Sequence, residues 1–225
     1  MSQDLARRMR ALYVGETAET WARIGRETPA TYWEENAVLG RRDTYASLAA
    51  RLQPLEGRRI LDAGCGLGLL ARRLARAGAH VTAVDVLSHA VLEARQRAGD
   101  RGPSFVVADF EDLLHVRGAF DDIVLQEVLE DYTDAERLRA IRRLGASGAQ
   151  RIHLIFRQPG RWKGLVEPLL PAALVPTLDP VQLLRSIHLH TPYRLSDQDT
   201  IRRRSYNVRR VEFTLQGRSS GGNEY

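Results

Sequence analysis

Two acidic residues flank a glycine-rich turn, and their spacing could bind a nucleoside. Asp62 stands two residues before the first glycine of the run Gly-Cys-Gly-Leu-Gly that ends at Gly68, and Asp85 follows about 20 residues after that first glycine. Glycines let a backbone approach a ligand closely, and the amides that begin the next helix face the same ligand. A carboxylate at position 85 can accept hydrogen bonds from both hydroxyls of a ribose. The pattern therefore predicts a nucleoside site.

The details of the turn indicate which nucleoside binds. A dinucleotide-binding turn would need glycine at position 69, where this chain has Leu69. Asp62 would also repel a pyrophosphate, but it can pair with a cationic amino group. S-adenosylmethionine offers an ammonium, a sulfonium and a ribose diol, and it carries no phosphate. Here the sequence resembles the class I S-adenosylmethionine-dependent methyltransferases, whose first motif is acid-x-Gly-x-Gly-x-Gly. The alternative is a tight turn without a ligand.

This resemblance implies a set of contacts with S-adenosylmethionine. It implies that Asp109 accepts a hydrogen bond from the adenine amine, that Phe110 packs on the adenine ring or offers its backbone amide to a ring nitrogen, and that Gln126 lies where the methyl group meets its acceptor. Cys65 is expected to serve as a small residue beside the ligand and not as a nucleophile. The expected cofactor-binding residues are Asp62, Gly64, Cys65, Gly66, Gly68, Asp85, Val86, Asp109, Phe110 and Gln126.

Alternating strand and helix patterns position these residues. The predicted strands are residues 58–62, 81–84, 105–108, 121–125 and 151–156, separated by helices at 69–77, 88–97 and 134–144. This alternation predicts an α/β fold with a doubly wound, mostly parallel, Rossmann-like sheet. Ligands of such sheets bind beyond the carboxyl ends of the strands, where the acids fall. A further helix start is predicted at residues 196–201 and a last strand at 208–216.

The chain outside the central sheet is expected to form accessory structure. Residues 1–54 are rich in helical patterns and predict an N-terminal helical cap, whereas residues 55–216 form the cofactor-binding core. Prolines and leucines interrupt the pattern over residues 157–193, which predicts a lid inserted after the fifth strand. Residues 217–225 are rich in glycine and serine and are expected to be a flexible tail.

A closer resemblance links the chain to the magnesium-protoporphyrin O-methyltransferases. It is carried by Trp21-Ala-Arg-Ile24, by Arg41-Arg-Asp-Thr44, and by residues 120–133, which align without gaps to the fourth-strand region of that family. The resemblance implies methylation of a propionate on a metalloporphyrin, with Tyr13 as a substrate-facing hydroxyl. Asp131 stands where the family has its proposed catalytic histidine or a tyrosine, so Tyr13 and Asp131 are the expected catalytic residues. A second departure is that the C-terminus is expected to stop before a full seventh strand.

Composition limits the partners and the compartment. The net charge is +5, but the arginines are scattered, which argues against nucleic acid and leaves peripheral contact with a membrane open. The single cysteine and the absence of an apolar N-terminal run predict a cytoplasmic protein. His188 and His190 have no other metal ligands nearby in sequence, so no protein-bound metal is expected. Composition gives no indication of the oligomeric state.

The sequence therefore predicts an enzyme that transfers a methyl group from S-adenosylmethionine to an oxygen of a bulky organic acid. A tetrapyrrole carboxylate is the leading small-molecule substrate. One alternative is an O- or N-methyltransferase of another natural product. A nucleic-acid methyltransferase is disfavoured because no Asn/Asp-Pro-Pro-aromatic run follows the fourth strand. A catalytically silent protein that only binds the cofactor is the third alternative.

Overall fold

A computed structural model describes residues 48–99, 102–114, 119–158, 179–202 and 207–215 of this 225-residue chain. The strands are β1 (Arg59–Ala63), β2 (His80–Asp85), β3 (Ser104–Val107), β4 (Asp122–Gln126), β5 (Arg151–Gln158), β6 (Tyr193–Arg202) and β7 (Asn207–Leu215). The helices are α1 (Leu69–Arg76), α2 (Ser88–Ala98), α3 (Phe110–Leu113), α4 (Asp134–Ala146) and α5 (Pro180–His190), with a 3₁₀ turn at Leu129–Asp131.

The strands form one sheet whose order creates a crevice for a ligand. The order is β3-β2-β1-β4-β5-β7-β6, with β1 to β5 parallel and β7 antiparallel to both β5 and β6. The chain winds outward from β1 through β2 to β3 and then returns to the other side of β1 as β4. Loops that leave β1 and β4 therefore diverge over opposite faces, and ligands bind at such a reversal point.

Helices cover both faces of the sheet, as the predicted doubly wound fold requires. Side chains alternate between two buried clusters along each central strand, so that Ile123 joins one cluster and Val124 joins the other. The cluster that contains Val124 includes Leu70 and Leu74 of α1, whereas the cluster that contains Ile123 includes Ile141 of α4. The fold class predicted from the sequence is confirmed.

Two expectations for the C-terminal part are wrong. Residues 196–201, predicted to begin a helix, belong to strand β6, and β7 completes a seventh strand of nine residues. The polar run misleads because β6 is the edge strand of the sheet and its exposed side needs no apolar residues. The register shifts between Leu195 and Asp197, and the Ser196 hydroxyl at this bulge donates to the Glu212 carbonyl on β7.

The predicted accessory segments fall mostly beyond the described residues. Residues 48–51 end a helix, and Leu48 and Leu52 pack fully buried beneath the sheet, which ties the end of the predicted cap at 1–54 to the core. The rest of the cap and the tail at 217–225 lie outside the described residues. Of the predicted lid at 157–193, the structure describes the end of β5 and helix α5, and the lid itself stays a prediction.

A buried carboxylate joins the strands at the amino ends of β4 and β5. The side chain of Asp122 is fully buried and accepts hydrogen bonds from Arg58, at 2.5 Å, and from Arg151, at 2.6 Å. Burial alone would raise the pKa of Asp122, but His153 and the two guanidinium groups outweigh it and lower that pKa to about 2. The charge of Asp122 is therefore balanced by its partners, and this group of side chains has a structural role.

We predict that Asp122→Ala lowers the free energy of unfolding by about 3 kcal/mol, because two arginines lose a buried partner. The neighbouring variant Asp121→Ala is the control, since its partner Arg59 is 52% exposed and such pairs contribute less than about 1 kcal/mol. The lowered pKa of Asp122 adds stability above about pH 4 that is lost as the pH falls towards 2, so Asp122→Ala should flatten this decline. Urea unfolding between pH 2 and 7 measures both effects, and equal losses in the two variants would contradict the assignment.

Candidate active site

The glycine turn after β1 is fixed by backbone hydrogen bonds to β2. The amides of Gly64 and Cys65 both donate to the Val84 carbonyl at 2.8 Å. Gly64, Gly66 and Gly68 all have positive φ angles, of 75°, 52° and 69°. The conformation is therefore one that only glycine adopts without strain, as the sequence pattern predicts.

The glycines differ in what surrounds them. A side-chain carbon on Gly64 would lie 2.4 Å from Cγ2 of Val128, and one on Gly68 would lie 2.4 Å from the ring of Phe105. Neither position has room for a larger residue. A side-chain carbon on Gly66 would meet nothing within 4 Å, so this glycine faces open space. The middle of the turn is the part that a ligand can approach.

Asp85 holds the turn in place. Its Oδ2 accepts from the Gly66 amide at 2.8 Å, and its Oδ1 accepts from the Leu87 amide at 2.9 Å, across Val86. Burial raises the pKa of this carboxyl, although both amides act in the opposite direction. Each carboxylate oxygen can accept more than one hydrogen bond, so Asp85 can still receive the hydroxyls of a ribose.

Asp62 is a buried acid with an unused oxygen. Its side chain is 2% exposed, and its Oδ2 has no hydrogen-bond partner. Burial, and then the negative charge of Asp85, raise the pKa of Asp62 to about 7, while the Ala71 amide partly offsets them. A buried carboxylate in this state is stabilised by an arriving cation, which fits the ammonium group of S-adenosylmethionine.

The thiol of Cys65, which lies beside these acids, is unreactive. Burial and the charges of Asp62 and Asp85 raise the pKa of Cys65, which keeps the thiol protonated. Because the thiolate is the nucleophilic form, the side chain is inert at neutral pH. This supports the interpretation of Cys65 as a small residue beside the ligand.

Asp109 and Phe110 follow β3 at the same edge. Asp109 caps α3, with its Oδ1 accepting from the Glu111 amide at 3.1 Å, and burial raises its pKa. The ring of Phe110 is only 3% exposed and packs against the ring of Tyr132, with 6.2 Å between the ring centroids. Little of this ring is left to contact an adenine, so the backbone amide is the group that Phe110 can offer.

The end of β4 carries features that the sequence did not reveal. Both polar atoms of the Gln126 amide are buried and have no hydrogen-bond partner. Glu127 has φ 54°, the one left-handed residue other than glycine among the described residues, and its amide donates to the Ile155 carbonyl at 2.7 Å. This turn brings Val128 over Gly64. Strain of this kind is concentrated at functional sites.

The two predicted catalytic residues cannot be placed by their side chains. Tyr13 lies outside the described residues. Asp131 ends the 3₁₀ turn Leu129–Asp131 after β4, and nothing of its side chain is described. The structure therefore brings the predicted cofactor-binding residues together at the carboxyl ends of the strands, and the cofactor-binding and catalytic assignments both stay predictions.

The parallel sheet, the glycine turn and the acids that end β1 and β2 give the described residues the fold of the class I S-adenosylmethionine-dependent methyltransferases. A family model described as a methyltransferase domain matches residues 60–147, which run from β1 to the end of α4. The orphaned oxygen of Asp62 and the open space above Gly66 fit the methyl donor of that family.

Two individual methyltransferases are similar in sequence to parts of this chain. The chain is 45% identical over 95 residues to the ubiquinone biosynthesis O-methyltransferase of Methylocella silvestris, a match that covers 41% of this chain and 35% of that protein. It is 30% identical over 146 residues to the magnesium-protoporphyrin O-methyltransferase of Synechocystis, which covers 61% of this chain and 62% of that one. The matches therefore span less than two thirds of these relatives.

A solved methyltransferase structure has the same fold as this chain. The crystal structure of magnesium protoporphyrin IX methyltransferase from Synechocystis with bound S-adenosylmethionine superposes with a TM-score of 0.74. The comparison covers 96% of this chain and 99% of that one at 23% identity. At this identity the likeness establishes the shared fold.

The described residues contain neither a helix suited to cross a membrane nor a group of side chains suited to hold a metal ion. No described helix is both long and apolar enough to cross a membrane. No cluster of three or more histidine, cysteine, aspartate or glutamate side chains in the described ranges could hold a metal ion.

We predict that Gly66→Ala weakens binding of S-adenosylhomocysteine at least about tenfold, because its methyl group enters the space that a ligand occupies. Gly57→Ala is the matched control. Gly57 also has positive φ, at 71°, and open surroundings, but it precedes the opposite end of β1. Both variants should lose about 1 kcal/mol of stability, and calorimetric titration should separate them. Equal affinities would show that the ligand does not lie above Gly66.

We predict that Asp62→Asn stabilises the ligand-free protein above pH 7 by roughly 2 kcal/mol, because it removes a buried carboxylate. The raised pKa of Asp62 favours the folded state below about pH 4, and this advantage is lost as the pH rises through about 7. An amide cannot titrate, so the variant should not show that decline. Urea unfolding at intervals from pH 4 to 8 measures it, with Asp134→Asn, whose carboxyl is 97% exposed, as control. Parallel pH profiles for wild type and Asp62→Asn would contradict the assigned pKa.

Proposed function

We propose that the protein methylates an oxygen atom of a bulky organic acid, with S-adenosylmethionine as the methyl donor. The observation that carries the proposal is the acid pair at the glycine turn. Asp62 is buried beside Asp85 with an oxygen that has no partner, and this arrangement is stable when a cationic ligand arrives. Among nucleosides, a sulfonium with an amino-acid side chain provides that cation without phosphate.

Each edge residue has a separate role in holding the donor. Asp62 pairs with the ammonium group, and Asp85 accepts from the ribose hydroxyls while its other hydrogen bonds keep the turn in place. Asp109 accepts from the adenine amine, and Phe110 offers its backbone amide. Gly66 lets the backbone approach the ligand. The remaining predicted contacts, Gly64, Cys65, Gly68 and Val86, shape the turn and its border.

Bound S-adenosylmethionine supplies a methyl group attached to a sulfonium, which is a good leaving group. The residues of the chain then have mainly to align the acceptor in line with that methyl group and to exclude water. A carboxylate acceptor carries no proton at neutral pH and needs no base, whereas a hydroxyl acceptor must lose its proton. We propose Tyr13 as a substrate-facing hydroxyl and Asp131 as the group that would take such a proton.

The relatives support an oxygen acceptor, since those compared above are named as O-methyltransferases. The magnesium-protoporphyrin enzyme of Synechocystis matches the larger share of this chain, which supports a tetrapyrrole carboxylate as the leading substrate. The ubiquinone biosynthesis enzyme has the higher identity over a shorter segment, which supports a hydroxyl of another natural product as the alternative.

The test follows a radiolabelled methyl group from S-adenosylmethionine to candidate acceptors. We expect label in magnesium protoporphyrin IX, and mild alkali should release it as methanol, because a methyl ester hydrolyses and a methyl ether does not. Alkali-stable label in a dihydroxybenzene acceptor would instead identify the hydroxyl alternative. Asp62→Asn is the matched control and should lower kcat/KM at least about tenfold.

Two outcomes would contradict the proposal. One is label that is attached only to nitrogen atoms of the acceptors, or that enters only RNA. The other is a wild-type protein that binds S-adenosylhomocysteine in the calorimeter but transfers no label to oxygen. The second outcome would favour the catalytically silent binding protein, and it would leave the assignment of the cofactor site intact.

A further inference from the structure

The amide of Gln126 is buried at the carboxyl end of β4 without hydrogen-bond partners. Its Nε2 and its Oε1 are both shielded from solvent, and neither meets a polar atom of the protein. Leaving a buried donor and a buried acceptor unpaired is costly, so such a group is kept where a ligand completes it. A ligand that both accepts and donates hydrogen bonds would satisfy this amide.

The sheet register places Gln126 with the two acids of the cofactor site. Asp62 on β1 pairs with Val124 on β4 and with Ala83 on β2. Gln126 lies two residues beyond Val124, and Asp85 lies two residues beyond Ala83. Side chains two residues apart on a strand share a face, and neighbouring strands lie about 4.8 Å apart. Asp62, Asp85 and Gln126 therefore form a polar triangle on one face, at the edge where the glycine turn begins.

The members of the polar triangle offer different groups to a ligand. Asp62 and Asp85, when ionised, can only accept hydrogen bonds. Gln126 offers an acceptor oxygen and two N–H donors. An α-amino acid carries an ammonium group, which suits the acids, and a carboxylate, which would be repelled by them. Among the three side chains only Gln126 can donate to that carboxylate.

Building on the proposed function, we propose that Gln126 selects the amino-acid end of the methyl donor. Its Nε2 donates to the α-carboxylate, and its Oε1 accepts from the ammonium group that Asp62 also binds. The ligand then satisfies the whole buried amide and offsets the like charges of the two acids. Gln126 is in this view a residue for cofactor specificity, and its side chain does not contact the methyl acceptor.

The test compares ligands that differ only at the amino-acid end. S-adenosylhomocysteine carries both charged groups, its decarboxylated analogue keeps only the ammonium, and methylthioadenosine has neither. Calorimetry measures their affinities for wild type and for Gln126→Met, an apolar replacement of similar length. We expect Gln126→Met to lose at least about tenfold in affinity for S-adenosylhomocysteine and less than about twofold for methylthioadenosine. The decarboxylated analogue should show an intermediate loss.

Two further variants separate this role from effects on folding. Gln126→Glu keeps the shape but removes the donor and adds a third acid, so its loss for S-adenosylhomocysteine should exceed that of Gln126→Met. Gln150→Met is the control, because this exposed glutamine contacts Arg58 at the opposite edge of the sheet. Gln126→Met should unfold at no lower urea concentration than wild type, since it removes an unpaired buried amide.

The outcomes are distinguishable. Unchanged affinity of Gln126→Met for S-adenosylhomocysteine, or an equal loss for methylthioadenosine, overturns the role of Gln126 and leaves the proposed function standing. A wild-type protein that binds none of the three ligands overturns the proposed function and this inference together. A loss confined to the acceptor's KM, with cofactor affinity unchanged, also overturns it and assigns the amide to the substrate.

Discussion

The arrangement of the site depends on two carboxylates held close together, one of them buried and the other partly buried. Asp85 is fixed by the amides of Gly66 and Leu87, so it cannot turn away from Asp62. Burial and mutual repulsion then keep the pKa of Asp62 near 7. The glycine turn cannot move to reduce this repulsion, because its conformation depends on the hydrogen bond from Gly66 to Asp85. Either a proton or a cationic ligand can offset the charge, and the crevice between β1 and β4 is where a ligand can enter.

The pKa values of acids shift in opposite directions at the two ends of the strands, and this contrast marks the carboxyl ends as the functional side. At the amino ends of the strands, Asp122 is paired with arginines and its pKa falls to about 2. At the carboxyl ends, burial raises the pKa of Asp62, Asp85 and Asp109 without enough pairing to offset it. Acids that only stabilise a fold are paired with cationic side chains, which lower their pKa. Acids at a ligand site lack such partners, so their pKa stays raised.

Local patterns in the sequence predicted those parts of the fold that depend on local rules. The strands before the crevice have short apolar runs, and the turn needs glycines with positive φ, so both were visible in the sequence. The polar run in the edge strand β6 predicts a helix start. The prediction is wrong because these residues face solvent, so the strand lacks the alternation of apolar residues that would have identified it. The orientation of Phe110, the left-handed Glu127 and the unpaired amide of Gln126 arise from packing between distant segments, and no local pattern encodes them.

The division of the chain also explains how relatives with different named substrates can both resemble it. The family model covers β1 to α4, which contains each acid of the cofactor site, and it ends before β5. The proposed donor site therefore lies within one contiguous segment, which can be retained while the acceptor changes. Where these segments meet, β4 ends with Gln126, for which we propose a contact with the donor, and the chain then turns through the left-handed Glu127. A conformation that costs free energy at this junction is expected to persist because it orients both sides at once.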